Sequence, residues 1–124
     1  MKSSVQGPPQ KPAQSVTIDP APTICPECLT GFQRRHPGQL FCTPAHRDQW
    51  NNRAAVRGRV LTPLAIVTRA TRGGSRGDTD TGRKARQHHD RLIQRWIEED
   101  RAAGRMDWPS YLRLRYGVGF DPLG

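Results

Sequence analysis

The chain is short of several things that folded domains usually rely on. Hydrophobic residues fill only 34% of its 124 positions and aromatics 6%, which excludes a large core and limits any folded unit to a small one. No run of about 18 apolar residues is present, so a membrane-spanning helix is excluded. Met1-Lys2-Ser3-Ser4 leads into no apolar stretch, so no export signal is expected and a cytoplasmic location is. There are only three cysteines, too few to pair internally, and a disulfide scaffold does not fit. Lysine is scarce too, with Lys2, Lys11 and Lys84 the only ones among 20 basic residues. Between positions 31 and 76 the sole acidic residue is Asp48, set against nine arginines, a local net charge of +8. Residues 1–30 sum to zero and residues 77–124 to +1, so the overall +9 is concentrated in one segment.

That segment contains the most informative pattern. Cys25-Pro26-Glu27-Cys28 is followed, after thirteen intervening residues, by Cys42-Thr43-Pro44-Ala45-His46. Two thiolates two residues apart grip an ion from a tight knuckle, and Cys42 and His46 close the other side of a tetrahedron. The spacing predicts one structural zinc ion held by Cys25, Cys28, Cys42 and His46. A redox pair at Cys25 and Cys28 would need a βαβ pattern around it, and none is evident. His36 is the alternative fourth ligand, but His36-Pro37-Gly38-Gln39 suits a type II turn, which puts it at the tip of a hairpin of Phe32–Arg34 with Gln39–Phe41. Thr43 and Pro44 form a helix start, placing His46 in the first turn.

Knuckle, hairpin and helix start, with Phe41-Cys42-Thr43-Pro44-Ala45-His46 followed by Arg47, Trp50, Asn51 and Arg53, resemble a treble-clef zinc finger of the short FCS type found in small bacterial and phage proteins. Thr43 stands where that family has serine, and His46 where it has a last cysteine. The resemblance covers about residues 25–57. It implies a fold rather than an activity, because related fingers bind either nucleic acid or protein.

In chain order, the expectation is a disordered tail over 1–24, a zinc finger with a basic helical extension over 25–72, a flexible linker over 73–81 and an α-helical hairpin over 82–124. The fold class is thus a small α+β finger followed by a helical hairpin. The finger helix is expected to stop at Gly58. Thr62-Pro63 repeats the cap signal and predicts a second helix to Arg72, although Ile66-Val67-Thr68 also suits a strand. Ala85, His89, Leu92, Ile93, Trp96, Ile97 and Asp100 mark one helical face, which only Asp100 interrupts. Gly104 ends that helix, and Asp107-Trp108-Pro109 starts a shorter one.

His88-His89-Asp90 invites a catalytic reading, but neighbouring histidines on a helix project about 100° apart, and no enzyme is expected. Two function classes remain. In the first, the finger presents Arg34, Arg35, Arg47, Asn51, Arg53, Arg57 and Arg59 to nucleic acid, arginine being the better-shaped partner for phosphate. In the second, zinc only stabilises a scaffold whose Trp96, Trp108, Tyr111 and Tyr116 bind another protein.

Overall fold

The computed structural model describes residues 22–124. Most of the expected N-terminal tail, 1–21, lies outside the described residues. The chain is a small α+β assembly, a two-stranded antiparallel sheet with three helices in the order β1 (Thr23–Ile24), β2 (Gly31–Phe32), α1 (Pro44–Ala70), α2 (Thr79–Ala102) and α3 (Trp108–Gly117).

The sheet differs from the expected hairpin. β2 pairs backwards onto β1, Thr23 opposite Phe32 and Ile24 opposite Gly31, so residues 23 and 24 belong to the folded unit and not to a tail. The knuckle is the loop between these strands, closed by the Leu29 N–H on the Cys25 carbonyl at 2.8 Å and the Cys25 N–H on the Thr30 carbonyl at 3.0 Å. The turn at His36–Gln39 does form, with the Gln39 N–H donating to the His36 carbonyl at 3.1 Å. Its arms are tied by a side chain in place of a ladder. Gln39 accepts from the Arg35 N–H at 2.7 Å and donates to the Phe41 carbonyl at 2.8 Å.

α1 starts as its capping residues dictate, the Thr43 hydroxyl accepting from the His46 N–H at 3.2 Å with Pro44 in the first turn. It then runs through both expected breaks. A helix-interior glycine costs only about 1 kcal/mol, which the packing of α1 along α2 offsets at Gly58. Pro63 removes one ladder hydrogen bond at an exposed position. Thr62 does not cap; its hydroxyl donates back to the Gly58 carbonyl at 2.6 Å. The β-branched run Ile66-Val67-Thr68 is helical as well.

α1 and α2 are antiparallel neighbours, since Arg57 meets Glu99 and Asp100 while Arg86 reaches the Gly73 carbonyl near the far end. The expected linker between them is a tight corner. The Thr71 carbonyl accepts from the N–H groups of Gly74, Ser75 and Arg76 at 2.9–3.1 Å, and Asp78 caps α2 on the Thr81 N–H; the side chain of Thr81 and then this N–H lower the pKa of its carboxyl. Two glycines make the corner possible. Gly74 has φ +97°, and a Cβ there would lie 2.8 Å from the Arg83 backbone nitrogen; a Cβ on Gly82 would lie 2.7 Å from the Thr71 Cβ. Gly82→Ala is therefore expected to destabilise the chain by about 1–3 kcal/mol through overpacking. Gly58→Ala, whose Cβ would meet nothing within 4 Å, should instead stabilise it by about 0.5–1 kcal/mol. Thermal unfolding of the two variants side by side checks both signs.

The core lies at the other end, beneath the sheet. Trp50, 2% exposed, is its centre, with the rings of Trp108 and Tyr111 each 4.7 Å from it and Phe41 at 6.1 Å. Cys25 and Met106 complete it. The C-terminal segment therefore does not pack as a separate hairpin: α3 lays Trp108 and Tyr111 on Trp50, and the Met106 N–H donates to the Pro26 carbonyl of the knuckle at 2.9 Å. Leu112 of α3 is left 40% exposed.

Candidate metal centre and the arginines around it

The knuckle supplies Cys25 and Cys28, and Cys42 and His46 arrive from just before and within the first turn of α1. One ligand atom from each of the four lies within 4.8 Å of every other. The Cys28 and Cys42 sulfurs are 3.7 Å apart, and His46 Nδ1 is 3.2 Å from Cys42 Sγ and 3.9 Å from Cys25 Sγ. With metal–sulfur bonds of about 2.3 Å and metal–nitrogen bonds of about 2.0–2.1 Å, a regular tetrahedron has sulfur–sulfur edges near 3.8 Å and sulfur–nitrogen edges near 3.6 Å. These three separations lie within about 0.4 Å of those edges, and the group can bind a metal ion. The cysteines are free thiols. His36, the alternative ligand, is outside the group and exposed at the turn.

The electrostatics of the cluster favour a cation. Burial opposes ionisation of Cys28, but hydrogen bonds from the side chain and backbone of Thr30, then from Cys42 and Cys25, outweigh it and lower the thiol to about 7. Cys42 is pushed up to about 11 by burial and by its two sulfur neighbours. Three thiolates this close repel one another, and a dication among them removes that repulsion.

No protein-family model, curated protein or solved structure matches the chain.

The arginines predicted to face nucleic acid divide into two groups. Arg53 and Arg57 are internal. Arg53 grips Glu27 of the knuckle with both terminal nitrogens, at 2.9 and 2.8 Å, a pairing that raises its pKa. Arg57 binds both oxygens of Asp100 at 2.9 and 3.0 Å, reaches Glu99 at 3.3 Å and lies 5.3 Å over the Trp96 ring. They join elements and are not available to phosphate. Arg34 is half-buried, and its Nε has no partner among the described residues. Arg35, Arg47, Asn51 and Arg59 are exposed, Arg47 beside Asp48 at 3.2 Å.

Asp100 is the residue that sequence reasoning misjudged. It is 2% exposed and accepts from Arg57, from Arg105 at 2.7 Å and from the Trp108 indole at 2.8 Å. Its signal was present, because an acid on the apolar face of a helix needs a buried cation, and this chain has many arginines. The aromatics proposed for a protein partner are mostly occupied. Trp108 and Tyr111 belong to the core, Trp96 is half-covered under Arg57, and only Tyr116, 55% exposed, remains outside. His88 is exposed, and His89 Nδ1 lies 3.1 Å from Asp90. No helix of the described residues is long and apolar enough to cross a membrane.

Proposed function

We propose that this protein is a treble-clef-like zinc finger, stabilised by one zinc ion at Cys25, Cys28, Cys42 and His46, that binds nucleic acid through arginines left free by the fold. Zinc is the ion of choice because a Cys3His set with tetrahedral spacing and no open position is a structural zinc site by its donor chemistry. The observation that carries the nucleic-acid reading is the exposure of Arg35, Arg47, Arg59, Arg69, Arg72 and Arg76 in a segment whose only acid is Asp48. Exposed guanidinium groups without neighbouring carboxylates gain most from phosphate, by charge and by releasing its counterions.

If about five of these arginines reach phosphates, log affinity falls with log salt at a slope of roughly −4 to −5. Replacing Arg69 and Arg72 together is expected to reduce that slope by about one to two units without unfolding the chain. Fluorescence anisotropy titrations from about 50 mM salt upward measure it. Binding weaker than about 100 μM to both DNA and RNA at that salt rejects the reading.

The second function class, a zinc-stabilised adaptor that binds another protein, keeps one specific support. An apolar cavity of about 930 Å³ lies between the knuckle and α3, with Ile24, Leu29, Met106 and Leu114 in its wall. Ile24 and Leu29 are 49% and 45% exposed there.

A further inference from the structure

A second cavity, of about 430 Å³, opens between the turn at His36–Gln39, the start of α1 and the face of α3. It differs from the apolar cavity in its chemistry. Arg35 comes from the turn, Arg47 and Asn51 from successive turns of α1, and Arg115 from α3, and no aspartate or glutamate is among the lining residues. Three guanidinium groups from three separate elements therefore meet around one space. Cys42 of the metal group also lines the space, and a zinc-loaded Cys3His group, three thiolates against one dication, offsets only part of that positive charge, so the convergence favours an anion.

Two of the cations are unpaired. Among the described residues Arg35 and Arg115 make no ion pair, and Arg47 has only Asp48, whose side chain is 61% exposed. Arg115 is held in place nonetheless, with its guanidinium carbon 3.6 Å from the centre of the Phe120 ring and 6.0 Å from that of Tyr111. Stacking on aromatic faces orients the guanidinium and leaves its edge N–H groups free for an acceptor. Tyr111 is also in the wall. It is 7% exposed, and its phenol is a neutral hydroxyl donor. α1 adds the positive end of its dipole and has no acidic residue in its first turn.

Charge selects the ligand. A phosphodiester within a strand brings one negative charge, whereas a terminal phosphate monoester brings nearly two near neutral pH. It also offers three strong acceptor oxygens to arginine, asparagine and tyrosine donors. We propose that this cavity binds the terminal phosphate of a single-stranded nucleic acid, with Arg35, Arg47 and Arg115 as its cationic wall and Tyr111 and Asn51 as neutral donors. The assignment rests on the nucleic-acid reading and sharpens it, because a chain whose exposed arginines hold the strand by its diesters would recognise the strand's end here.

The test uses the full-length, metal-loaded chain and two strands of about 10 nucleotides, identical except that one carries a 5′-phosphate and the other a 5′-hydroxyl, both labelled at the 3′ end. The 5′-phosphorylated strand is expected to bind about tenfold more tightly. The double variant Arg35→Gln, Arg47→Gln, both at exposed positions, should remove that preference while its metal content and thermal unfolding stay as in the parent. Inorganic phosphate should shift the backbone amide resonances of Ala45, Arg47 and Tyr111 and compete selectively with the phosphorylated strand. Equal affinity for the two strands overturns the terminal-phosphate site and leaves the nucleic-acid reading intact. Binding of neither strand overturns the terminal-phosphate site, and overturns the nucleic-acid reading as well if duplex DNA and RNA also fail to bind; if inorganic phosphate still shifts those resonances in that case, the cavity takes a free phosphate compound.

Discussion

Asp100→Ala is expected to remove a large share of the chain's stability, about 3–5 kcal/mol. Its carboxylate accepts from Arg57, Arg105 and the Trp108 indole at 2.7–3.0 Å, joining α1, α2 and α3 at one point. Removing it leaves two guanidinium groups, with side chains 12% and 20% exposed, and an indole N–H without their acceptor. Breaking a buried ion pair from one side costs about 3–5 kcal/mol, against about 5–15 kcal/mol for the whole stability of a domain. Asp100→Asn keeps the shape and one acceptor oxygen and should fall between the two. The same group sets an acid limit. Burial works to raise the Asp100 pKa, but hydrogen bonds from Arg57, Trp108 and Arg105, with the Arg57 charge, outweigh it and hold it below the usual carboxylate value. The pKa is thus lower folded than unfolded, where it is about 3.9. Its contribution is complete above that value and is lost as pH falls through the folded one. Urea unfolding of the parent at pH 6, 4 and 3 should lose more stability than Asp100→Asn does over that range. Equal losses would show that the carboxylate is not coupled to folding.

The contrast between the metal ligands and the arginines explains what the sequence could reveal. Cys25, Cys28, Cys42 and His46 are legible because the chemistry demands particular residue types at short spacings, and each local element around them has its own signal in Thr43, Pro44 and the turn at His36. Arg53 and Arg57 read as surface cations because nothing local identifies a partner. Glu27 lies 26 residues away and Asp100 lies 43 residues from Arg57, and only the tertiary fold brings them together. Gly58 and Pro63 are true local signals overridden by packing, each weak enough for the contact between α1 and α2 to outweigh. The strands escaped because each is two residues long, too short to carry an alternating pattern. The independent C-terminal hairpin is expected from the periodicity of α2 and the start signal of α3, but neither identifies what covers the apolar face. For α3, that cover is Trp50 of α1.

This last point changes what removing the metal should do. A C-terminal half with its own core would keep its structure when the ion is withdrawn. Here Cys25 is at once a member of the ligand group and a wholly buried part of the core that holds Phe41, Trp50, Met106 and Tyr111. The knuckle is bound to the rest through the Met106 N–H on Pro26 and the Arg53 pair with Glu27. Losing the ion frees the knuckle, and Trp50 and Tyr111 then lose one wall of their packing. Structural zinc sites contribute about 10–16 kcal/mol in peptides of this kind, comparable to or larger than the total stability of a small domain, so the apo chain should not hold this core. Hydrogen exchange on the full chain, with metal and after chelation, is expected to show protection over 106–117 lost together with that over 25–50. His46→Ala should move both segments the same way at limiting metal, and His36→Ala neither. Protection of 106–117 that survives chelation would mean that α3 is held by α2 alone, and that the aromatic contacts to Trp50 contribute little to its stability.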